Sequence, residues 1–345
     1  MSCRPRSAKQ RAIAGAGAAT LAAVAGELAV GRMLRRGQEY RLLSAFPEGR
    51  ATTVISADGT RIHAETFGPE ETDAPTFVLA PGWTEELQIF GRVIQQLVYR
   101  GYRAVAYDLR GQGASGLPAG GQEIHRYGED IEAVLEATCA GRDDVILAGH
   151  SLGGMSIAAW AAAHDVGARI AAAALLSTGF ADLVAGSRLF PRQIPAPVRH
   201  HLGERYVLRG TTKPLPVTTT VSRRVLRRTA FAPDASEASI VFYEQMLRRC
   251  PVPARVAAGR AVSRLDLLHA VPRITVPTVV LVGTHDRLTP PSHSERIAAS
   301  LPKLTKLIVL DDIGHMSPLE CPDRVVAELA GLADHARPRA LVSGA

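Results

Sequence analysis

The sequence predicts an α/β fold in which a mostly parallel sheet of eight strands is flanked by helices. Short apolar runs alternate with helix-length segments through most of the 345 residues, and turn residues follow each run. Continuous apolar strands of this kind are typical of parallel sheets that are covered on both faces. A content of 46% apolar residues excludes a disordered chain, and the lack of a glycine period excludes a collagen-like fibre.

The first two predicted strands, Thr52–Ile55 and Arg61–Phe67, flank turn residues 57–59 and predict a hairpin. Six further strands are predicted at Thr76–Ala80, Arg103–Tyr107, Val145–Ala148, Ala171–Leu176, Thr278–Val282 and Lys306–Leu310. The predicted helices are Glu86–Arg100, Tyr127–Cys139, Met155–His164, Ser292–Leu301 and Pro322–His335. No internal repeat accompanies this alternation, so we expect one large domain with an insertion rather than a repeat array.

Residues 180–265 interrupt the alternation. They are rich in Arg, Pro and Thr and show no clear strand pattern, which predicts an inserted, mainly helical cap. The core then comprises residues 50–179 and 266–335. This division makes the insertion a separate unit on the parent sheet rather than a second domain after it.

An apolar segment at residues 12–31 follows a basic start and precedes Arg32–Arg36. Its twenty residues, with Glu27 as the only charge, are long enough for a helix to cross about 30 Å of hydrocarbon. Alanine and glycine contribute little transfer energy, and equal basic flanks give no orientation. A signal peptide and a soluble alanine-rich helix are the alternatives. We expect residues 1–41 to associate with a membrane through an N-terminal apolar helix, with a cytoplasmic or secreted protein as the alternative.

The net charge of +7 is unevenly distributed, with +6 on residues 1–41, +10 on residues 180–265 and −9 on the remainder. No nucleic-acid-binding motif accompanies the basic charge, so we expect no nucleic-acid partner. The basic cap favours either attraction of anionic head groups or acidic substrates, or a solvated helix face. The four cysteines are widely spaced and include no CxxC pair, so the sequence supports neither a disulfide framework nor a zinc cluster.

The most specific motif is G-x-S-x-G, formed by Gly149, Ser151 and Gly153 between an apolar strand and an alanine-rich helix. Such a turn passes from strand to helix so tightly that glycines, which have no Cβ, relieve the crowding two positions before and after the serine. The serine hydroxyl is thereby lifted above the sheet edge, and the first N–H groups of the helix point at any oxyanion. The sequence therefore predicts Ser151 as a nucleophile.

A nucleophilic serine needs a base, and the base needs an orienting acid. Asp286 follows the seventh predicted strand, and His315 lies in the loop after the eighth. Because the carboxyl ends of parallel strands form the sites of open α/β sheets, we expect both side chains near Ser151. The chain order Ser, Asp, His agrees with this interpretation.

Three neighbouring residues are rival candidates. Asp311 and Asp312 lie too close to His315 in sequence to reach its far nitrogen easily. His285, next to the predicted acid, is expected to be a loop residue. We therefore expect these side chains to remain outside the catalytic group.

The loop Leu79–Thr84, after the third predicted strand, is placed to supply a second oxyanion donor. Gly82 lets the backbone approach closely, and the N–H of Trp83 is predicted to pair with that of Leu152 in an oxyanion hole. The Trp83 side chain is expected to wall the substrate pocket, with a purely structural tryptophan as the alternative. His150 is expected to pack beside the nucleophile and to contact the substrate.

Together these motifs resemble the α/β-hydrolase superfamily, and within it the capped serine esterase and lipase-like branch. The resemblance covers about residues 50–335 and includes Tyr107–Ser115, which is similar to the D-x-R-G-x-G-x-S loop of that branch. In this loop we expect Arg110 to pair with Asp108. One departure is that relatives usually have a histidine where this chain has Pro81, which bears on the oxyanion assignment.

The resemblance implies a serine hydrolase that cleaves carboxylic esters, with lipophilic acyl groups, through an acyl-enzyme. Serine at position 151 excludes the epoxide hydrolases and haloalkane dehalogenases, which resemble this fold but use aspartate. An acyltransferase, thioesterase or perhydrolase-like enzyme with the same triad is one alternative, and a non-catalytic binding module of the same fold is another. We expect no cofactor and no metal site. The expected partners are a small-molecule or lipid ester, with a membrane surface as a further candidate.

Overall fold

The strands form one eight-stranded sheet, as the alternation of apolar runs predicts. They are β1 (Arg50–Ile55), β2 (Arg61–Phe67), β3 (Thr76–Ala80), β4 (Arg103–Tyr107), β5 (Val145–His150), β6 (Ala172–Leu176), β7 (Thr278–Gly283) and β8 (Leu304–Leu310). Their spatial order is β1-β2-β4-β3-β5-β6-β7-β8. β2 is antiparallel to both β1 and β4, and all other neighbours are parallel. The predicted fold class is therefore confirmed.

The computed structural model describes residues 25–336 except 28, 119–120, 190–192, 196, 199–200 and 203–218. The α-helices that lie wholly within this part of the chain are α1 (Gln38–Ser44), α2 (Gly91–Tyr99), α3 (Ile124–Cys139), α4 (Leu152–Ala163), α5 (Leu183–Gly186), α6 (Thr220–Ala230), α7 (Glu237–Arg249), α8 (Val252–Ser263), α9 (Pro291–Ala298), α10 (Ser317–Glu320) and α11 (Pro322–Ala336). Short 3₁₀ helices occur at Leu87–Phe90, Val166–Ala168 and Leu268–Arg273.

Both faces of the sheet are buried, which explains why the central strands are almost continuously apolar. In β3, Val78 and Ala80 pack into the core beneath α3, α4 and α9. Phe77 and Leu79 point to the opposite face, where α2 and α11 cover the sheet. Successive strand residues alternate between faces, so a strand covered on both sides needs a continuous apolar run.

The segment between β6 and β7 contributes helices α5 to α8 in its described part, and a single antiparallel bridge between Ala181 and Asp266 joins its two ends. We call residues 180–265 the insertion. α6 begins with a capping box, in which the Thr219 hydroxyl accepts from the N–H of Ser222 while the Ser222 hydroxyl accepts from that of Thr219. The bridge brings the two ends of the insertion together. The alternation of strands and helices therefore resumes close in space to the point where it stops.

The predicted apolar segment at residues 12–31 lies mostly outside the described residues, since 1–24 and 28 are not described. Within the described residues, no helix has the length and apolar character needed to cross a membrane. Glu27 accepts hydrogen bonds from the N–H and hydroxyl of Thr220, at 2.8 and 3.0 Å. These bonds lower the pKa of Glu27, and they place a carboxylate at the N-terminus of α6, where it is stabilised.

A buried ion pair holds the hairpin and α3 to the sheet. The fully buried guanidinium of Arg110 donates to both carboxylate oxygens of Asp130, at 2.7 and 2.6 Å. It also donates to Asp58, in the hairpin turn, at 2.8 Å. Two carboxylates therefore satisfy one charge that the interior would otherwise not tolerate.

The expected pair between Arg110 and Asp108 is wrong. The Asp108 carboxylate instead accepts from the backbone N–H groups of Leu87 and Ala114, at 2.7 and 2.8 Å. Burial raises the pKa of Asp108 to about 6. The carboxylates that reach Arg110 come from elements distant in sequence, which local spacing does not reveal.

Replacing Asp130 tests this ion pair. Asp130→Asn leaves a buried guanidinium without its bidentate charge partner, so we expect the free energy of unfolding to fall by about 3 kcal/mol. Urea denaturation measures the change. The control is Glu70→Gln, which removes the partner of Arg50 in an exposed pair and should cost about 0–1 kcal/mol. Equal effects in the two variants would contradict the proposed importance of burial.

Candidate active site

Ser151 occupies a strained turn between β5 and α4. Its φ and ψ of 50° and −114° lie where a residue with a Cβ is rarely found, at a cost of about 1–3 kcal/mol. Its N–H donates to the carbonyl of Leu176 at 2.9 Å, and its carbonyl accepts from the N–H of Met155 at 3.1 Å and the hydroxyl of Thr178 at 2.8 Å. The turn is thus fixed on both sides by neighbouring backbone.

Glycine is required on both sides of the serine, as the motif predicts. A Cβ on Gly149 would lie 2.5 Å from the backbone of Gly153, and one on Gly153 would lie 2.1 Å from the carbonyl oxygen of Ala80. These contacts are shorter than real Cβ atoms make, and the obstructing atoms are backbone. The close approach of α4 to the end of β3 therefore explains the second glycine of the motif.

Asp286 and His315 form a buried hydrogen-bonded pair. Asp286 follows β7, His315 follows β8, and the His315 Nδ1 lies 2.8 Å from the Asp286 Oδ2. The Asp286 Oδ1 accepts from the N–H groups of Leu288 and Thr289, at 2.9 and 2.8 Å, and the Thr289 hydroxyl lies 2.9 Å from Oδ2. Because these partners are donors, the carboxylate is held as an acceptor for the imidazole N–H.

Thr289 was not singled out from the sequence. Its hydroxyl is also 3.3 Å from the His315 Nδ1 and 2.9 Å from the carbonyl oxygen of Ser177. The local signal is an aspartate followed by a threonine three residues later, a spacing at which an Asp side chain accepts from the following backbone in a turn. This turn supplies the carboxylate with donors from neighbouring residues of the chain.

The loop that carries His315 is held by the partly buried carboxylate of Glu320, another residue missed from the sequence. It accepts from the N–H groups of Gly314 and Met316, both at 3.1 Å, and from Ala232 of the insertion at 2.8 Å. Burial raises the pKa of Glu320. Donors on both sides of His315 therefore fix the backbone of this residue.

The rival candidates lie apart from the buried pair. His285 and Asp312 face each other at 3.3 Å, and the Asp312 side chain is 87% exposed. His285 lies in a turn after β7, which fits the expectation that it is a loop residue. Both residues lie outside the lining of the cavity described next.

Ser151 and His315 line one apolar cavity of about 110 Å³. Its other lining residues are Trp83, Leu152, Met155, Leu183, Val184, Ser187, Leu189, Val262, Leu288 and Thr289. Five of these belong to the insertion, so the cavity lies between the sheet edge and the insertion. Across the described part of the chain, no group of three or more His, Cys, Asp or Glu side chains is arranged to hold a metal ion.

The loop after β3 is held in a strained form by the insertion. Thr84 has a φ of 65°, which is unusual for a β-branched residue. Its hydroxyl lies 3.0 Å from that of Tyr243 on α7, and its N–H donates to the side-chain oxygen of Gln112. The Trp83 Nε1 donates to the carbonyl of Arg255 on α8 at 3.1 Å.

The two predicted oxyanion donors lie beside the cavity that Ser151 lines. Both Trp83 and Leu152 belong to its wall. In the described part of the chain, no hydrogen bond engages the backbone N–H of either residue. Both groups are therefore free to donate to a ligand.

His150 does not contact the cavity, so the expected substrate contact is not what the structure describes. Its side chain is 0% exposed, with Nδ1 3.0 Å from the Glu85 carboxylate and Nε2 2.8 Å from the carbonyl oxygen of His315. Burial opposes the charged ring, but the Glu85 carboxylate outweighs it and raises the pKa of His150. Both ring nitrogens are used within the protein, which leaves none for a substrate.

The profile of the alpha/beta hydrolase family matches residues 77–328. The chain belongs to the α/β-hydrolase family. It is 27% identical to a non-heme haloperoxidase of Rhodococcus erythropolis over 80% of this chain and 97% of the relative. It is 26% identical to the bifunctional esterase/perhydrolase DCH of Acinetobacter calcoaceticus over 77% of this chain and 93% of the relative. An esterase structure from Thermogutta terrifontis shares the fold, with a TM-score of 0.68, 21% identity, and coverage of 84% of this hydrolase and 100% of the esterase chain.

Two glycine variants of the hydrolase test the packing of the turn. Gly153→Ala places a methyl group against the carbonyl of Ala80, so we expect the free energy of unfolding to fall by about 1–3 kcal/mol or more. Gly331→Ala, in α11 with open space around it, should raise that free energy by about 0.5–1 kcal/mol. Urea denaturation distinguishes the signs. A neutral Gly153→Ala would show that the turn has room to relax.

Proposed function

We propose that this α/β hydrolase is a serine esterase in which Ser151, His315 and Asp286 form the catalytic triad. The observation that carries this proposal is the 2.8 Å hydrogen bond between His315 and Asp286 at the wall of the cavity that Ser151 also lines. The relatives named as an esterase and as a bifunctional esterase/perhydrolase support the same class of reaction.

The proton positions of the pair define the role of each group. Because Nδ1 of His315 donates to Asp286, its Nε2 carries a lone pair and acts as the base. Nε2 takes the proton of the Ser151 hydroxyl as the oxygen attacks the ester carbonyl carbon. Asp286 keeps the correct tautomer and stabilises the imidazolium that forms. The N–H groups of Trp83 and Leu152 donate to the oxyanion of the tetrahedral intermediate.

The intermediate then collapses into an acyl-enzyme. The bond to the leaving alcohol breaks, and the alcohol oxygen takes the proton from the Nε2 of His315. Water attacks the acyl-enzyme with His315 again as base, and the carboxylic acid leaves as Ser151 recovers its proton. Atoms and charges balance with one water consumed for each ester.

Perhydrolysis is a second candidate because one relative is named for both activities. Hydrogen peroxide in place of water attacks the same acyl-enzyme, and a peracid leaves instead of an acid. The triad and the oxyanion donors perform the same steps in both cases. Product analysis with peroxide added therefore separates the two activities without a change of protein.

The cavity supports a short, apolar acyl group as the substrate. A volume of about 110 Å³ is well below the roughly 300–1,000 Å³ that drug-sized ligands occupy. Its side-chain walls are mainly aliphatic, with Trp83 as the aromatic member. We propose that the insertion is the cap of this pocket, on a core of residues 50–179 and 266–335, since α5 and α8 contribute to the wall.

Triad variants test the mechanism. Ser151→Ala and His315→Ala should each lower kcat by about 10⁴- to 10⁶-fold, because they remove the nucleophile and its base. Asp286→Asn should lower kcat by about 10⁴-fold through the wrong imidazole tautomer. Hydrolysis of 4-nitrophenyl butyrate and labelling by a fluorophosphonate probe measure these losses.

The control for the triad is His285→Ala, which removes the partly exposed rival histidine and should leave kcat within about twofold of the wild type, since His285 lies outside the cavity wall. Circular dichroism establishes that each variant is folded. A folded Ser151→Ala variant that turns over at the wild-type rate would exclude the triad. A folded wild type that is not labelled would favour the non-catalytic binding module.

The chain-length preference tests the size of the pocket. We expect kcat/KM for the 4-nitrophenyl butyrate ester to exceed that for the laurate ester by at least about tenfold, because added methylene groups have no space. Val262→Ala shortens a side chain in the wall. The cavity becomes larger, so this ratio should fall. Val225→Ala, an exposed valine on α6, should not change it. A wild-type preference for laurate would contradict the short-acyl pocket.

A further inference from the structure

We propose that the buried pair of Glu85 and His150 is a positioning device that sets the oxyanion loop and the base loop relative to the nucleophile. The inference rests on the proposed function, because it concerns how the proposed oxyanion donor and base are held. Neither residue lines the cavity. They act through the backbone groups next to the reacting ones, so we call them positioning residues rather than catalytic ones.

The pair connects three loops that leave the sheet at three different strands. The Glu85 carboxylate accepts from the N–H of Gly82, which directly precedes Trp83 in the loop after β3. It lies 3.0 Å from Nδ1 of His150, the last residue of β5 and the neighbour of Ser151. The Nε2 of His150 lies 2.8 Å from the carbonyl oxygen of His315 itself, in the loop after β8. One series of hydrogen bonds therefore passes next to Trp83, Ser151 and His315.

The donors and acceptors in this series determine where the protons of His150 lie. A backbone carbonyl only accepts, so the Nε2 of His150 carries a hydrogen and donates to His315. Its Nδ1 and the Glu85 carboxyl group share the remaining proton. The pair has no net charge with that proton on either side. A neutral pair does not oppose the positive charge that His315 acquires during catalysis, although the two imidazole rings are only 5.0 Å apart.

The packing of Gly82 is an independent sign that the carboxylate is built into the oxyanion loop. A Cβ at this position would lie 2.8–2.9 Å from the three atoms of the Glu85 carboxyl group. The carboxylate therefore rests directly on the backbone that presents the N–H of Trp83. Burial raises the cost of leaving any of these groups without a partner, because no water is present to replace a lost hydrogen bond.

The direction of the His150 pKa agrees with this arrangement. Burial opposes the imidazolium, but the Glu85 carboxylate overcomes it, and the His315 carbonyl and Asp286 act in the same direction as Glu85. The pKa of His150 is therefore raised. The resulting ion pair gives the two loops stronger hydrogen bonds than neutral groups would, since charge-assisted bonds are about twice as strong.

Three substitutions at position 150 separate the two ends of the series. His150→Asn keeps an amide donor near the position of Nδ1, toward Glu85. His150→Gln keeps one near the position of Nε2, toward the His315 carbonyl. His150→Leu keeps neither and has a similar volume. Glu85→Gln keeps the shape of the acid but removes its charge.

The experiment measures kcat, KM and the rate of fluorophosphonate labelling for the full-length chain with 4-nitrophenyl butyrate. We expect Glu85→Gln and His150→Leu to lower kcat and the labelling rate by about 10- to 100-fold, with KM within about threefold, because misplacement by about 1 Å has effects of this size. His150→Asn and His150→Gln should each retain more activity than His150→Leu. The double variant Glu85→Gln/His150→Leu should be no slower than His150→Leu by more than about twofold.

The control is Glu65→Gln, which changes a partly exposed Glu–His pair with His63 on β2, at the similar distance of 2.9 Å, and should leave kcat unchanged. Rates are compared per folded molecule by circular dichroism. Folded variants with wild-type kcat, or a kcat that does not follow the donors retained at position 150, would overturn the inference while the esterase stands. A wild type that neither hydrolyses nor is labelled would overturn the proposed function and this inference with it.

Discussion

The tight turn at Ser151 is the constraint on which the rest of the site depends. β5 lies in the middle of the sheet, between β3 and β6, so the turn at its end is confined on both sides. The carbonyl of Leu176 fixes its N–H, and the carbonyl of Ala80 leaves no room for a Cβ on Gly153. The strained φ of Ser151 is maintained because relaxation would move α4 against the neighbouring strand. In the proposed mechanism, a serine held this way needs its partners brought to it by the other loops.

The partners are held by buried carboxylates, each of which accepts from several donors. Asp286 receives the N–H groups of its own turn, Glu320 receives those on both sides of His315, and Glu85 receives that of Gly82. A buried carboxylate without such donors would be strongly destabilising. With them, it fixes backbone that contains few regular hydrogen bonds. The loops of this hydrolase are therefore ordered by side-chain charge rather than by secondary structure.

The insertion contributes to the same order and does more than cover the cavity. The carbonyl of Ala230 accepts from the N–H of His315 at 2.9 Å, and α7 and α8 hold the loop after β3 through Tyr243 and the carbonyl of Arg255. Part of its basic charge is neutralised within the fold, since Arg223 and Arg227 pair with Glu237. Arg223 and Arg227 therefore offer a ligand less positive charge than the sequence of the insertion indicates.

The sequence by itself determined the fold class, the eight strands and the motif around Ser151, because strand periodicity and the glycines of a tight turn are local properties. It also led to Asp286 and His315, because the ends of parallel strands meet at one edge. Tertiary structure alone decided the partner of Arg110, the burial of His150 and the roles of Glu85 and Glu320. Some of these features depend on groups from elements that are separated by about twenty residues or more. Others depend on which face of a loop is enclosed. Local sequence spacing encodes neither property.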